Sequence, residues 1–336
     1  MPSRLIFKKG RFFFYIIVWW LLATGIFLFT YIPATNQIFL KFIIPILFLA
    51  VLTREKVFGI DKGLKMYIWL LLWACLSLFY TVDSSMTLRY LQGMIGNVVI
   101  WYIAARCIKK IDDINNLSYP LIFSFLIQLY FTLVAPVQAS VEEINARLDR
   151  VSGLSSNEND QGRLLFFGII VALLLLLYSR NKILKIVYWV SIVLFFIGIF
   201  RTGSRSSLIA SLLFFIVFIF LNARKKNYGI LIMSIIVGFL LYQYGYDYFL
   251  SNTSMGHRLE LAVDKRGDEP RIMLLKEGLT FFLHNPVLGL GLGSYVYYSS
   301  THHYSHNDFI EVLASMGIPA FLLYISIFWD YWKRTN

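Results

Sequence analysis

Ten continuous apolar runs, each long or nearly long enough to cross a bilayer, constrain this chain more than any other feature. They lie near 12–31, 38–52, 66–81, 90–106, 118–136, 164–179, 183–200, 206–221, 228–248 and 308–331. A hydrocarbon core of about 30 Å takes roughly 20 helical residues. The second run is short and carries Pro45. Inside a bilayer every backbone N–H and C=O needs an internal partner, so only helices or closed barrels cross. The runs are continuous rather than alternating, which selects helices. Charge agrees: 15% of residues are charged, where a soluble domain carries about a quarter. The expected fold class is all-α, a polytopic integral membrane protein of about ten transmembrane helices with a large outer loop carrying short helices. It is read as one transmembrane domain over 1–336, with an extracytoplasmic loop at 249–307.

The basic start, Arg4 to Arg11, leads into the run Phe12–Tyr31. That run exceeds the roughly 7–15 residues of a signal-peptide core, which predicts an uncleaved first span. Cys75 and Cys107 sit in or beside apolar runs without CxxC spacing, so neither a disulfide framework nor a zinc site is expected.

Loop charge gives the orientation. With the N-terminus cytoplasmic, 19 of the 31 basic residues fall inside with five of the 19 acidic ones. The inner side is then strongly positive and the outer side slightly negative, as the positive-inside tendency requires. Both termini are expected in the cytoplasm. The outer basic residues are nine arginines and three lysines, whereas lysine prevails inside. Lysine suffices as a point charge, but a guanidinium fork grips phosphate or carboxylate through two bonds. Loop salt bridges to the outer acids are the plainer reading.

Two outer segments are long, 135–163 and 251–307. Loops of that length in compact proteins are usually functional or disordered. Within the second, Pro270 to Leu283 predicts a short helix at the outer interface, started by Pro270 and ended at Asn285-Pro286.

Three segments carry candidate chemistry. Arg201-Thr-Gly-Ser-Arg205-Ser-Ser stands at the outer mouth between the seventh and eighth spans. Two arginines four apart share a helical face if the helix starts early, and its serines can cap an anion-attracting N-terminus. Snorkelling is the alternative. His284-Asn-Pro-Val-Leu-Gly289-Leu-Gly291-Leu-Gly293 superficially matches a dinucleotide fingerprint, but no strand precedes it, so a tight turn over the membrane surface is expected. His302, His303 and His306 precede Asn307 and Asp308 at the last span. A histidine opening that helix can act as a base near neutral pH. Metal ligation and a structural role remain the alternatives.

Taken in order, these segments resemble the O-antigen ligase/polymerase superfamily of bacterial membrane glycosyltransferases. Members show an "SGSRG"-like segment at a span start, an arginine in a large outer loop, "HPxxGxGxG", then an "HN" motif followed by "ExxGxxG". The matches here are Thr202-Gly-Ser-Arg205-Ser-Ser, Arg271, His284 to Gly293, His306-Asn307, and then Glu311, Gly317 and Pro319. Arg150-Val-Ser-Gly-Leu-Ser-Ser-Asn157-Glu-Asn159 is similar to an earlier family stretch but lacks its proline. The resemblance implies a glycan donor on undecaprenyl diphosphate at the outer face of the bacterial inner membrane. His306 would be the general base, and Arg205 and Arg271 would hold the diphosphate. Arg201 and Arg258 would assist, while Arg150, Asn307 and His303 are candidates for the substrate cleft. No cofactor, metal or nucleotide sugar is implied. The partners implied are the lipid-linked oligosaccharide, an acceptor glycan, a chain-length regulator protein and membrane lipid, with no nucleic acid. A polymerase is expected first, by family analogy, and a ligase acting on lipid A core or protein second.

A flippase or transporter is the rival class. Such proteins place ionisable residues or broken helices near the bilayer midplane. Asp, Glu, Lys, Arg and His are missing from the central portions of the ten runs, which argues against ion-coupled transport.

Overall fold

A computed structural model describes residues 2–54, 59–108, 114–134, 151–155, 157–222 and 269–335. Only helices occur among these residues, and the all-α polytopic expectation holds. In chain order they are α1 (Pro2–Phe27), α2 (Pro33–Ile38), α3 (Ile44–Arg54), α4 (Lys62–Cys75), α5 (Ser84–Ile108), α6 (Ile114–Leu133) and α7 (Glu158–Tyr178), followed by α8 (Lys182–Thr202), α9 (Arg205–Asn222), α10 (Glu269–His284), α11 (Tyr295–Tyr298) and α12 (Asp308–Thr335). Eight segments are long and apolar enough to cross a membrane, and Arg205–Phe220 is a shorter apolar helix. Together these match nine of the ten runs; the run at 228–248 lies outside the described residues. The short second run is built from α2, a π-helical stretch Phe39–Ile43, and α3, with Pro45 at the start of α3. The helix expected at Pro270–Leu283 is α10.

Helix starts follow capping residues in the sequence. The Asp61 carboxylate accepts from the Leu64 N–H at 2.7 Å at the start of α4. Asn157 caps α7 through the Asn159 N–H at 2.8 Å, and Asn181 caps α8 through Ile183 at 2.9 Å. Each satisfies an N–H that the helix cannot use itself.

The chain divides into two compact units, 1–41 with 107–264 and 42–106 with 265–336. The core of the first unit joins α6, α7 and α8 through Phe125, Leu129, Leu165, Ile169, Phe195 and Ile199. Gln161 crosses that core, donating to the Gln128 carbonyl at 3.2 Å and the Thr132 hydroxyl at 2.9 Å. In lipid such a polar group has no other partner, so the bonds fix helix register.

In the second unit α4 packs on α12 around Leu70, Ala74, Leu91, Met316 and Ala320. The last span is interrupted: Gly317 has φ 72 and ψ −172, and Pro319 follows. Gly317 is about 14 Å along the helix from Asp308 at 1.5 Å per residue. The freed backbone groups are taken up by protein. The Ala314 carbonyl accepts from the Leu290 N–H and the Ser315 carbonyl from the Gly291 N–H, both at 2.9 Å, while the Ile318 N–H donates to the Pro286 carbonyl at 2.9 Å. The Met316 carbonyl accepts from Trp73 Nε1 at 2.9 Å. Irregular backbone within a span is tolerated where protein re-satisfies it in this way. The glycine-rich turn docks into the break in α12, with Gly289 and Gly291 buried against it. A broken helix is thus present, although its gap is closed by the chain's own loop. Trp73→Phe removes one of these donors. It is expected to cost about 1–3 kcal/mol, read as a lower melting temperature of the detergent-solubilised protein.

Candidate functional site

The Arg201–Ser207 segment belongs to the first unit. Thr202 ends α8, Gly203 adopts a left-handed cap at φ 64, and Arg205 opens α9. The two arginines therefore sit on different helices, not on one face, because the left-handed residue separates them. Arg201 donates through Nη1 to the Leu133 carbonyl at 2.9 Å, and its own carbonyl accepts from Val151 at 3.2 Å. Part of its fork is thereby committed to tying α6, the 151–155 segment and α8 together. Ser204 and Ser207 do not face outward as the anion seat expects. Both are buried and joined by a hydroxyl–hydroxyl bond of 2.9 Å. A Cβ on Gly162 would lie 2.7 Å from the Ser204 Cβ, so α7 presses its bare backbone on this start of α9. Arg205 is half-buried at the first turn, beside the exposed Ser206. Arg150 and Arg258 lie outside the described residues.

The histidine segment belongs to the second unit and is held by a sequence of short bonds. Tyr80 donates to the Leu288 carbonyl at 2.8 Å, and Thr87 to the Leu292 carbonyl at 2.7 Å. Ser294 shares a 3.0 Å bond with Thr81, and Tyr295 donates to the Leu274 carbonyl, clamping α11 on α10. Beyond α11 the chain turns back to α12. Asn307 caps that helix, accepting from Phe309 at 3.0 Å and Ile310 at 3.1 Å. His306 does not open the helix as expected. It precedes it in a left-handed conformation at φ 55, and His302 shares that conformation at φ 53. Non-glycine residues pay for this conformation and keep it only where the surroundings impose it.

The His306 ring lies against Tyr304, with centroids 4.2 Å apart and planes at 48°. Partial shielding from water lowers its pKa below the ordinary 6.5, and the positive charges of Arg271, then His303, push the same way. A neutral imidazole at neutral pH is a base in its working form. Arg271, near the start of α10, is exposed and has no ion-pair partner among the described residues. No group of three His, Cys, Asp or Glu that could hold a metal occurs among the described residues, so the three histidines do not converge there as ligands.

Beside this turn a cleft of about 350 Å³ is lined by Asp83, Ser85, Met86, Arg89 and Tyr90. Asp83 takes bonds from the Ser85 hydroxyl and the Ser85 and Met86 N–H groups, which hold its carboxyl below the usual range, with Arg89 adding to the effect. Tyr90 packs under Gly293 and stands within electrostatic reach of Glu311 and Tyr304. Tyr90 and Tyr304 belong to none of the sequence motifs. Nothing local marks them, because their place follows from two helices and a loop meeting.

Residues 190–325 match a family model described as O-Antigen ligase. The match spans Arg201, Arg205, Arg258, Arg271, His303, His306 and Asn307, and leaves out Arg150. No curated protein and no solved structure matches the chain. The match supports, over that segment, the resemblance to the O-antigen ligase/polymerase superfamily read from the motifs, and with it an O-antigen ligase/polymerase-type function in a membrane protein. The family implies lipid-linked glycan and acceptor substrates in general terms. Within the matched segment, the described residues of the second unit bring together His306, Arg271, His303 and Asn307; Arg201 and Arg205 belong to the first unit.

Proposed function

We propose that this chain is a surface-polysaccharide polymerase at the outer face of the bacterial inner membrane. It transfers a glycan from undecaprenyl diphosphate to an acceptor sugar hydroxyl, with no metal required. His306 takes the proton from the hydroxyl as it attacks the anomeric carbon, and the lipid diphosphate leaves with the bonding pair. Arg271 and Arg205 neutralise charge on that leaving group, where fixed guanidiniums near a low-dielectric surface act strongly. Arg201 and Arg258 assist from the same loops. Arg150, Asn307 and His303 line the substrate cleft.

The observation that supports this most is the pairing of Arg271 with a neutral His306 in one unit. On this reading Arg271 serves the leaving group and His306 the attacking hydroxyl. Ligase activity toward lipid A core or protein is the second reading, favoured by the family model's own description.

The test is incubation of purified protein with lipid-diphosphate oligosaccharide. A glycan ladder with release of polyprenyl diphosphate, undiminished by chelator, supports the polymerase. Transfer only to lipid A core or protein replaces it with the ligase. Arg205→Ala and Arg271→Ala are each expected to abolish transfer while membrane insertion persists, and Arg205→Lys should not fully rescue, lacking the two-bond fork. Retained activity in both alanine variants removes the diphosphate roles.

A further inference from the structure

His306 stands between two residues that are both fastened to α12. Asn307 binds the first N–H groups of that helix through its side chain. Ser305 is buried, at 1% exposure, and its N–H donates to the Glu311 carboxylate at 2.9 Å. The Ser305 hydroxyl closes the turn, donating to the Asn307 carbonyl at 2.9 Å. Three consecutive residues are thus anchored at both ends to the first turn of one helix, and the middle one carries the imidazole at φ 55. Glu311 is itself confined: Tyr90 of α5 and Tyr295 of α11 lie within its electrostatic reach.

We propose that Glu311 is a positioning residue, whose carboxylate grips the Ser305 N–H and so holds the His306 turn in its left-handed conformation. The inference rests on the reading of His306 as the base. Asn307 alone fixes one side of the turn. Without the second anchor, the backbone relaxes toward the negative φ that a non-glycine residue prefers, and the imidazole swings off its line to the acceptor. Misplacement of a catalytic group by about 1 Å costs on the order of 10²-fold in rate.

The experiment uses the full chain with lipid-diphosphate oligosaccharide as donor, and compares Glu311→Met, Glu311→Gln and His306→Ala. Methionine fills the space without an acceptor oxygen; glutamine keeps the oxygen and loses the charge. The expected result is that kcat of Glu311→Met falls on the order of 10²-fold. Its donor KM and melting temperature should stay near wild type, and Glu311→Gln should recover most of the lost rate. Equal inactivity of the glutamine and methionine variants overturns the inference, since the charge or proton of Glu311 would then matter rather than its bond to Ser305. A rise in donor KM matching the fall in kcat overturns it too, assigning Glu311 to donor binding. Should Glu311→Met not fold, Glu311→Gln decides alone: near wild-type rate supports the anchor, and inactivity like His306→Ala overturns it. Full activity of Glu311→Met beside an inactive His306→Ala removes only this inference. Full activity of His306→Ala removes the proposed base itself.

Discussion

His306→Ala is expected to lower glycan transfer by about 10²–10⁴-fold, the usual contribution of a positioned base. The protein should still fold, because the bonds around the turn run through Ser305, Asn307 and Glu311 rather than through the imidazole. Donor binding should persist if the arginines hold the diphosphate. Release of polyprenyl diphosphate under saturating donor measures the effect directly. The pH dependence carries a further sign. His306 has a lowered pKa, from shielding first and then from the charges of Arg271 and His303. The base therefore keeps its neutral form to lower pH than an ordinary histidine does. Arg271→Lys keeps that positive charge, whereas Arg271→Gln removes it. Any residual activity of Arg271→Gln should show its acidic limb displaced toward higher pH. The same sign bears on stability: the unfolded chain binds this proton more readily than the folded one, so acid weakens the turn.

Gly317→Ala is expected to destroy the second unit rather than its chemistry. Gly317 occupies a backbone region that only glycine enters readily, at φ 72 and ψ −172. A Cβ there would sit 2.1 Å from the Val287 carbonyl oxygen and 2.4 Å from its carbon. Those are backbone atoms of the loop that satisfies the break in α12, so they cannot move without releasing its bonds. Gly289 mirrors it across the contact, with φ +69 and a Cβ that would meet the Ser315 carbonyl carbon at 2.4 Å. Either substitution should cost about 3 kcal/mol or more, a large part of the roughly 5–15 kcal/mol that holds a typical protein folded. The expected outcome is loss of folded protein from the membrane fraction. Gly93→Ala and Gly96→Ala serve as the contrast. Nothing lies within 4 Å of a Cβ at either, and alanine in mid-helix is favoured by about 0.5–1 kcal/mol. Melting curves of all four variants in one detergent check this; an unperturbed Gly317→Ala would disprove the interlock.

Much of the molecule was legible in one dimension. Spans, helix caps and loop charge are local properties: an apolar run of about 20 residues has no soluble alternative, and Asp61, Asn157 and Asn181 satisfy N–H groups two or three residues away. The motif order from Arg201 to Asn307 likewise pointed to the family that residues 190–325 match. Tertiary structure decided what those motifs do locally. Gly203 takes a left-handed cap and splits Arg201 from Arg205, and the serines turn inward against Gly162. The glycine-rich turn docks on α12 to satisfy carbonyls freed at Gly317 and Pro319, 28 residues beyond Gly289 in the case of the first. His306 stands at φ 55 between Ser305 and Asn307, both bonded to α12, and its pKa is lowered by burial and then by the charges of Arg271 and His303. These depend on which backbone groups a helix break leaves unpaired and which distant donors reach them, and no spacing rule encodes that.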